Sequence, residues 1–192
     1  MMEPADAAGG FDERLGGQLK LLRLANGWSL DEVAARSGVS RAMVHRIEAG
    51  KASATAALLG RLAGAFGLSL SRLMALAEPA QGPMLRMADQ PVWQDPATGL
   101  LRRQVTAAGA PVELVAVELP AGASVAYPPS AYRATAQVIW VMAGRLDFQE
   151  GAVTHRLQAG DSLALGAPAH CEFRNPAAAP CRYLVAVTAR AT

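Results

Sequence analysis

Of the 12 prolines in this chain of 192 residues, all but Pro4 come after Ala77, and that asymmetry divides the chain in two. From Phe11 to Ala77 apolar residues recur at helical spacing: Leu15, Leu19, Leu22 and Ala25; then Leu30, Val33 and Ala34; then Leu58, Leu59, Leu62 and Phe66. Without a proline to break it, the first part reads as helix throughout. The breaks "NGWS", "SGVS", "AGKAS" and "FGLS" place a Gly where one helix ends and a Ser or Thr where the next can be capped, which predicts five short helices.

The grammar changes after "AEPAQGP", residues 77 to 83, which has two prolines, a glycine and no periodicity. Short β-rich runs follow, "VELVAVEL", "AQVIWVMAG", "RLDFQ", "SLALG" and "CRYLVAVT". Turn clusters at "DPATG", "AAGAP", "LPAGA" and "NPAAAP" separate them. This spacing describes an antiparallel sandwich or barrel. The expected fold class is therefore multidomain, α followed by all-β: a loose tail over 1–11, a helical domain over 12–77, a linker over 78–83 and a β domain over 84–192.

Charge follows the same division. Between Arg36 and Arg72 six bases (Arg36, Arg41, Arg46, Lys51, Arg61 and Arg72) face Glu48 alone, an excess of five, whereas from Glu78 onward nine arginines balance nine acids. A basic face on the helical part suits a polyanion. No apolar run approaches the roughly 20 residues needed to span a bilayer. The opening "MMEPADAAGGFDE" is acidic and lacks the basic start and apolar stretch of a secretory signal, so the chain is expected in the cytoplasm with no membrane partner. Cys171 and Cys181 are too few for a disulfide framework and are expected as free thiols.

The segment "SLDEVAARSGVSRAMVHRIEAGKAS", residues 29 to 53, carries the most specific pattern. Ser29 can cap a helix with Leu30, Val33 and Ala34 inward, Gly38 permits a tight turn, and Ser40 can cap a second helix with Val44 and Ile47 inward. That is the grammar of a helix-turn-helix, and it leaves Arg41, Ala42, His45 and Arg46 outward near the start of the second helix. Glu48 would repel phosphate and is expected in an internal ion pair, with Arg14 or Arg23. These residues resemble the phage-repressor-like (XRE) helix-turn-helix family, above all in "GVSRAMVHRIEAGK". The resemblance implies a double-stranded DNA operator as partner. It implies that Arg41, Ala42 and Arg46 face base edges and that Ser40 and Lys51 approach phosphates, with Met43 and His45 on the same candidate interface. Leu30 stands where that family often has Gln, a departure that removes one phosphate contact.

The pattern "PAGASVAYPPS…QVIWVMAGRLDF…HRLQAGDSLALGAPAHCEFRNP" resembles the cupin barrel, a jelly roll, over about residues 85 to 189. In metal-bearing cupins, two His and a Glu come from the first motif and a third His from the second. Those places fall here on Pro128, Ser130, Gln137 and Cys171, so the expectation is no metal, no cofactor and no catalytic residue. Strand parity supports this for "HCEF": if extended, Cys171 and Phe173 share one face while His170 points to the other, and the His-Cys pair cannot chelate one ion.

A barrel interior lined by Gln137, Ile139, Cys171 and Phe173, with Tyr127, Ser130, Tyr132 and Arg133 at its mouth, suits a small-molecule effector. Arg133 is then a candidate carboxylate partner. Equally, Gln137 can be a satisfied core amide, Arg133 a surface charge and Cys171 a small buried hydrophobe. The other face of the Gln137 strand, Val138, Trp140 and Met142, is also apolar, so either a second subunit or the chain's own segment 84–93 covers it. The leading expectation is a homodimeric, effector-responsive transcriptional regulator and not an enzyme. The alternatives are a cupin metalloenzyme fused to a DNA-binding domain and a DNA-binding protein whose barrel serves only to dimerise.

Overall fold

The computed structural model of the chain describes residues 8–78, 82–107 and 110–190. Five helices come first: α1 (Ala8–Ala25), α2 (Leu30–Ser37), α3 (Arg41–Glu48), α4 (Ala56–Ala65) and α5 (Leu70–Ala75). Three of the expected breaks end in the residue that caps the next helix, Ser29, Ser40 and Ser69, whereas after "AGKAS" the cap is Thr55 and Ser53 instead reaches Asp12. Ser29 forms a full capping box with Glu32, and the side chains of Ser40, Thr55 and Ser69 accept from the backbone N–H groups of Met43, Leu58 and Arg72. Gly38 ends α2 in the left-handed region at φ +67°, which turns the chain into α3. Not every helix is short, since α1 has 18 residues and starts before the expected boundary at residue 12. The first seven residues of the expected tail, and 79–81 of the expected linker, lie outside the described residues. Leu15, Leu19, Val33, Val44, Ile47, Leu59, Leu62 and Leu73 close the helical core, with Leu22 and Leu30 only half-buried against it and Ala25 exposed.

The strands begin at Val92, within the stretch 84–192 assigned to the β domain. They are β1 (Val92–Gln94), β2 (Leu101–Gln104), β3 (Glu113–Leu119), β4 (Ser124–Tyr127), β5 (Thr135–Ala143), β6 (Arg145–Glu150), β7 (Val153–Gln158), β8 (Ser162–Ala164), β9 (Cys171–Arg174) and β10 (Cys181–Ala189). They form two antiparallel sheets in the orders β1-β2-β3-β10-β5-β8 and β4-β9-β6-β7. Alternate residues of each strand enter one shared core, among them Val117, Ile139, Val141, Phe148, Phe173, Tyr183 and Val185. Asn175, wholly buried after β9, ties the loops together by donating to the carbonyls of Leu119, Pro120 and Ala179.

The two halves pack closely. Helix α4 lies against the end of β4 and the 3-10 turn Pro129–Tyr132 through two glycines. A Cβ on Gly60 would stand 2.5 Å from the Tyr127 ring, and one on Gly64 would stand 2.7 Å from the Ser130 carbonyl carbon. Only glycine permits so close an approach. Polar contacts hold the same seam. The Ala56 N–H donates to the buried Asp95 carboxylate (3.0 Å), Ser69 Oγ donates to Glu113 Oε2 (3.3 Å), and the Arg102 guanidinium donates to Ser71 Oγ (2.5 Å). Trp93 of β1 packs against both cores.

Candidate nucleic-acid interface and interdomain cavity

Helix α3 is held from behind. Glu48 at its end takes a two-pronged contact from Arg23 of α1 (2.8 and 2.9 Å), so of the two arginines considered for it, Arg23 is the partner. That hydrogen bond raises the Arg23 guanidinium above its ordinary value, against the lowering effect of burial. Arg14 instead donates to the Ala77 carbonyl. With Val44 and Ile47 buried below, the outward face carries Ser40, Arg41, Ala42, His45 and Arg46, all exposed, with exposed Lys51 just beyond. Arg41 meets Asp31 at 3.3 Å, but with side chains 64% and 76% exposed this pair is weak and leaves the guanidinium free to exchange partners. Arg46 reaches the Lys51 carbonyl at 3.5 Å. Met43 departs from the expectation: it is half-buried and packs against the helical core. Arg36, counted in the basic face, lies over the Trp28 ring at 4.3 Å.

Between the barrel and α5 lies a cavity of about 80 Å³. Tyr127, Tyr132, Gln137 and Phe173 line it, as expected of a pocket. The other four expected pocket residues do not. Ser130 is turned against Gly64 of α4, because the 3-10 turn carries it onto the helical half. Arg133 follows that turn and is exposed, so it is a surface charge. Ile139 points inward but is sealed in the barrel core at 0% exposure. Cys171 borders a separate, closed recess with Tyr132, Gln137 and Glu150.

Three further polar groups that line the cavity come from places that sequence reasoning missed: Arg102 in β2, and Ser69 and Ser71 at the start of α5. Arg102 is 7% exposed, and burial brings its guanidinium down to about 10. Its neighbour Gln104 is also buried, with neither amide atom paired among the described residues, beside a smaller space shared with Phe11, Met74, Trp93 and Arg102. The signal was parity: in "LLRRQV", Leu100, Arg102 and Gln104 alternate inward.

The four positions at which a metal-bearing cupin has its ligands do not form a metal site here. Pro128 has no donor, Ser130 faces α4, and the Gln137 amide donates to Thr135 Oγ1 at 3.1 Å. Burial pushes the Cys171 thiol up to about 11, partly offset by a hydrogen bond from Tyr132. His170, just before β9, is exposed whereas Cys171 is buried, and His155 stands 3.7 Å from Glu150. Among the described residues no three His, Cys, Asp or Glu side chains converge on a point that could hold an ion. This donor set does not fit a first-row transition metal.

A five-helix domain containing a helix-turn-helix, followed by a cupin-like pair of antiparallel sheets, is the class of protein that this fold defines. Comparison with known families bears out the helical part: residues 19–73 match the HTH_3 helix-turn-helix family, and this segment is a domain of that family. Among solved structures, an HTH_3 family transcriptional regulator from Vibrio cholerae superposes over 96% of this chain and 99% of its own, at 22% identity and a TM-score of 0.79, so the fold is shared from end to end. A cupin-superfamily sugar phosphate isomerase from Silicibacter pomeroyi is similar over 57% of this chain and 76% of its own (22% identity, TM-score 0.47). Hydroxypropylphosphonic acid epoxidase from S. wedmorenis is similar over 91% and 97% (14% identity, TM-score 0.46). Neither of these weaker likenesses bears on function. No curated protein matches the sequence. Among the described residues no helix is long and apolar enough to cross a membrane.

Proposed function

We propose that this protein is a sequence-specific DNA-binding transcriptional regulator of the cytoplasm whose affinity for its operator responds to a small molecule held between barrel and helices. The observation that carries the reading is that one helical unit both carries α3 and walls the cavity. The first turn of α5 lines the cavity, α5 packs on α4, and α4 packs on α2, the first helix of the helix-turn-helix. A ligand there touches the body that carries α3. It controls DNA binding to the extent that it binds the two placements of that body with different affinity. The barrel is read as a sensor and not as a catalyst, because among the described residues it offers no cluster that could hold a metal and both of its thiols are buried.

In this reading Arg41 and Arg46 address guanine edges, Ala42 a thymine methyl, and Ser40 and Lys51 phosphates. Two copies joined through the exposed β5 face present their α3 helices to half-sites about 34 Å apart or a multiple of it. Selection of binding sites from random duplexes by the wild-type protein, by Arg41→Ala and by Lys51→Ala tests it. Arg41→Ala is expected to relax preference at one base position of each half-site, while Lys51→Ala weakens all sequences and lowers the salt slope by about 1. Recovery of no consensus by the wild-type protein, or unchanged binding by both variants, would rule the reading out.

A further inference from the structure

We propose that the interdomain cavity takes a small monocarboxylate with an apolar body, its anionic head received by Arg102; this rests on the reading of the cavity as an effector site. Arg102 is buried, its one hydrogen bond among the described residues goes to the neutral Ser71 hydroxyl, and no described carboxylate lies within 4.0 Å of it. A guanidinium withdrawn from water without an anion is costly, and the planar fork matches a carboxylate in two parallel bonds. The nearby acid, Glu113, receives Ser69 Oγ and favours the charged guanidinium from a distance, but it makes no ion pair with Arg102 and does not line the cavity.

The remaining surface selects the rest of the ligand. Val115, Val117, Val185 and Val187 continue the face of the sheet that carries Arg102, Phe173 comes from the other sheet, and the remaining polar lining is hydroxyl and amide groups. No second cation among the described residues faces the space, so one negative charge is matched and a phosphate dianion is not. A volume of about 80 Å³ is several times the ~10–15 Å³ that one water needs, which is room for a compact organic acid but not for a nucleotide or peptide. Because Arg102 also holds Ser71, a bound carboxylate competes for or completes the contact that ties α5 to the barrel.

The test is a thermal-shift screen, followed by calorimetry, on the full-length protein. The panel is butyrate, benzoate and phenylacetate, their three amides, benzylamine and glucose 6-phosphate. At least one acid is expected to raise the melting temperature by several degrees, with its amide at least 100-fold weaker. Arg102→Gln is expected to lose at least 100-fold in affinity for that acid. Arg102→Lys retains a cation and so remains testable if the Gln variant fails to fold, and it should lose about tenfold. Equal binding of acid and amide, or of wild type and Arg102→Gln, overturns the proposal. Binding of an amide, the amine or the sugar phosphate independently of Arg102 overturns it too, while leaving the effector reading intact. An absence of shift with every acid also overturns the proposal. If in that case Ala131→Leu raises stability, the space is ordinary core and the effector reading falls with it.

Discussion

Arg102 of β2 donates to Ser71 Oγ in the first turn of α5, so a barrel strand and the helical domain share a buried, charge-assisted hydrogen bond. Such bonds contribute about 1.5–3 kcal/mol, and truncating one partner leaves the other without compensation. Ser71→Ala should therefore cost about 1–3 kcal/mol in a urea titration of the full chain. Ser53, whose exposed hydroxyl reaches Asp12, supplies the comparison at the surface, and Ser53→Ala should cost well under 1 kcal/mol. Equal midpoints for the two variants would show that the seam is not held at Arg102.

Glycines at the same seam allow a sharper contrast. A methyl group on Gly64 runs into the backbone of Ser130, and one on Gly60 into the Tyr127 ring, whereas one on the exposed Gly17 of α1 meets nothing within 4 Å. Gly64→Ala is expected to destabilise by about 1–3 kcal/mol, since backbone must move to admit it. Gly17→Ala is expected to stabilise by up to about 1 kcal/mol, through the helix propensity alone. Denaturant midpoints that move in the same direction for both would refute the close packing of α4 on the barrel.

The helix-turn-helix was legible because its signals are local. A capping box at Ser29 and Glu32, a left-handed Gly38 and a cap at Ser40 each act within four residues, and the structure forms all three. Parity at Cys171 and Phe173 was legible for the same reason, since alternation along one strand needs no knowledge of its neighbours. What failed depended on tertiary contact. Arg133 was open between a carboxylate partner at the mouth and a surface charge, and the 3-10 turn at Pro129–Tyr132, which no local signal announced, decides for the surface. Arg102 was passed over because two arginines and a glutamine hide the alternation of β2, and because its burial requires a helical domain roofing the barrel. Gly60 and Gly64 carry no signal until Tyr127 and Ser130 are placed against them.

The outer face of β5 predicts an oligomer. Val138, Trp140 and Met142 are 42%, 47% and 41% exposed, so the chain's own segment before β1 does not cover them. Half-buried Leu184 and Ala186 of β10 stand beside Trp140 and Val138 in register and extend the apolar surface. A second copy related by a two-fold axis would bury this face on both sides. Light scattering on the wild-type protein is expected to give the mass of a dimer. Trp140→Glu, which places a charge at the centre of the patch without touching either core, should give a folded monomer with much weaker operator binding. A wild-type protein that runs as a monomer at all concentrations would refute the pairing.

Alkaline pH should loosen the barrel before it affects the helical domain. Burial pushes the thiols of Cys171 and Cys181 each up to about 11, from a usual value near 9, and raises the hydroxyls of Tyr127, Tyr132 and Tyr183 as well. In every case the folded state holds a proton that the unfolded chain releases at lower pH. The folded protein then binds more protons between about pH 9 and 11, and stability, fully present below pH 9, falls as pH rises through that window. Arg102, lowered to about 10, acts in the opposite sense, but only above that pH, where the unfolded chain keeps the proton that the folded one loses. Five groups against one leave a net loss. The melting temperature should hold steady from pH 7 to 8.5 and decline through pH 10.5, and the decline should be shallower in the Cys171→Ala, Cys181→Ala double variant. A melting temperature as high at pH 10.5 as at pH 8 would mean that these thiols and phenols are not buried as neutral groups.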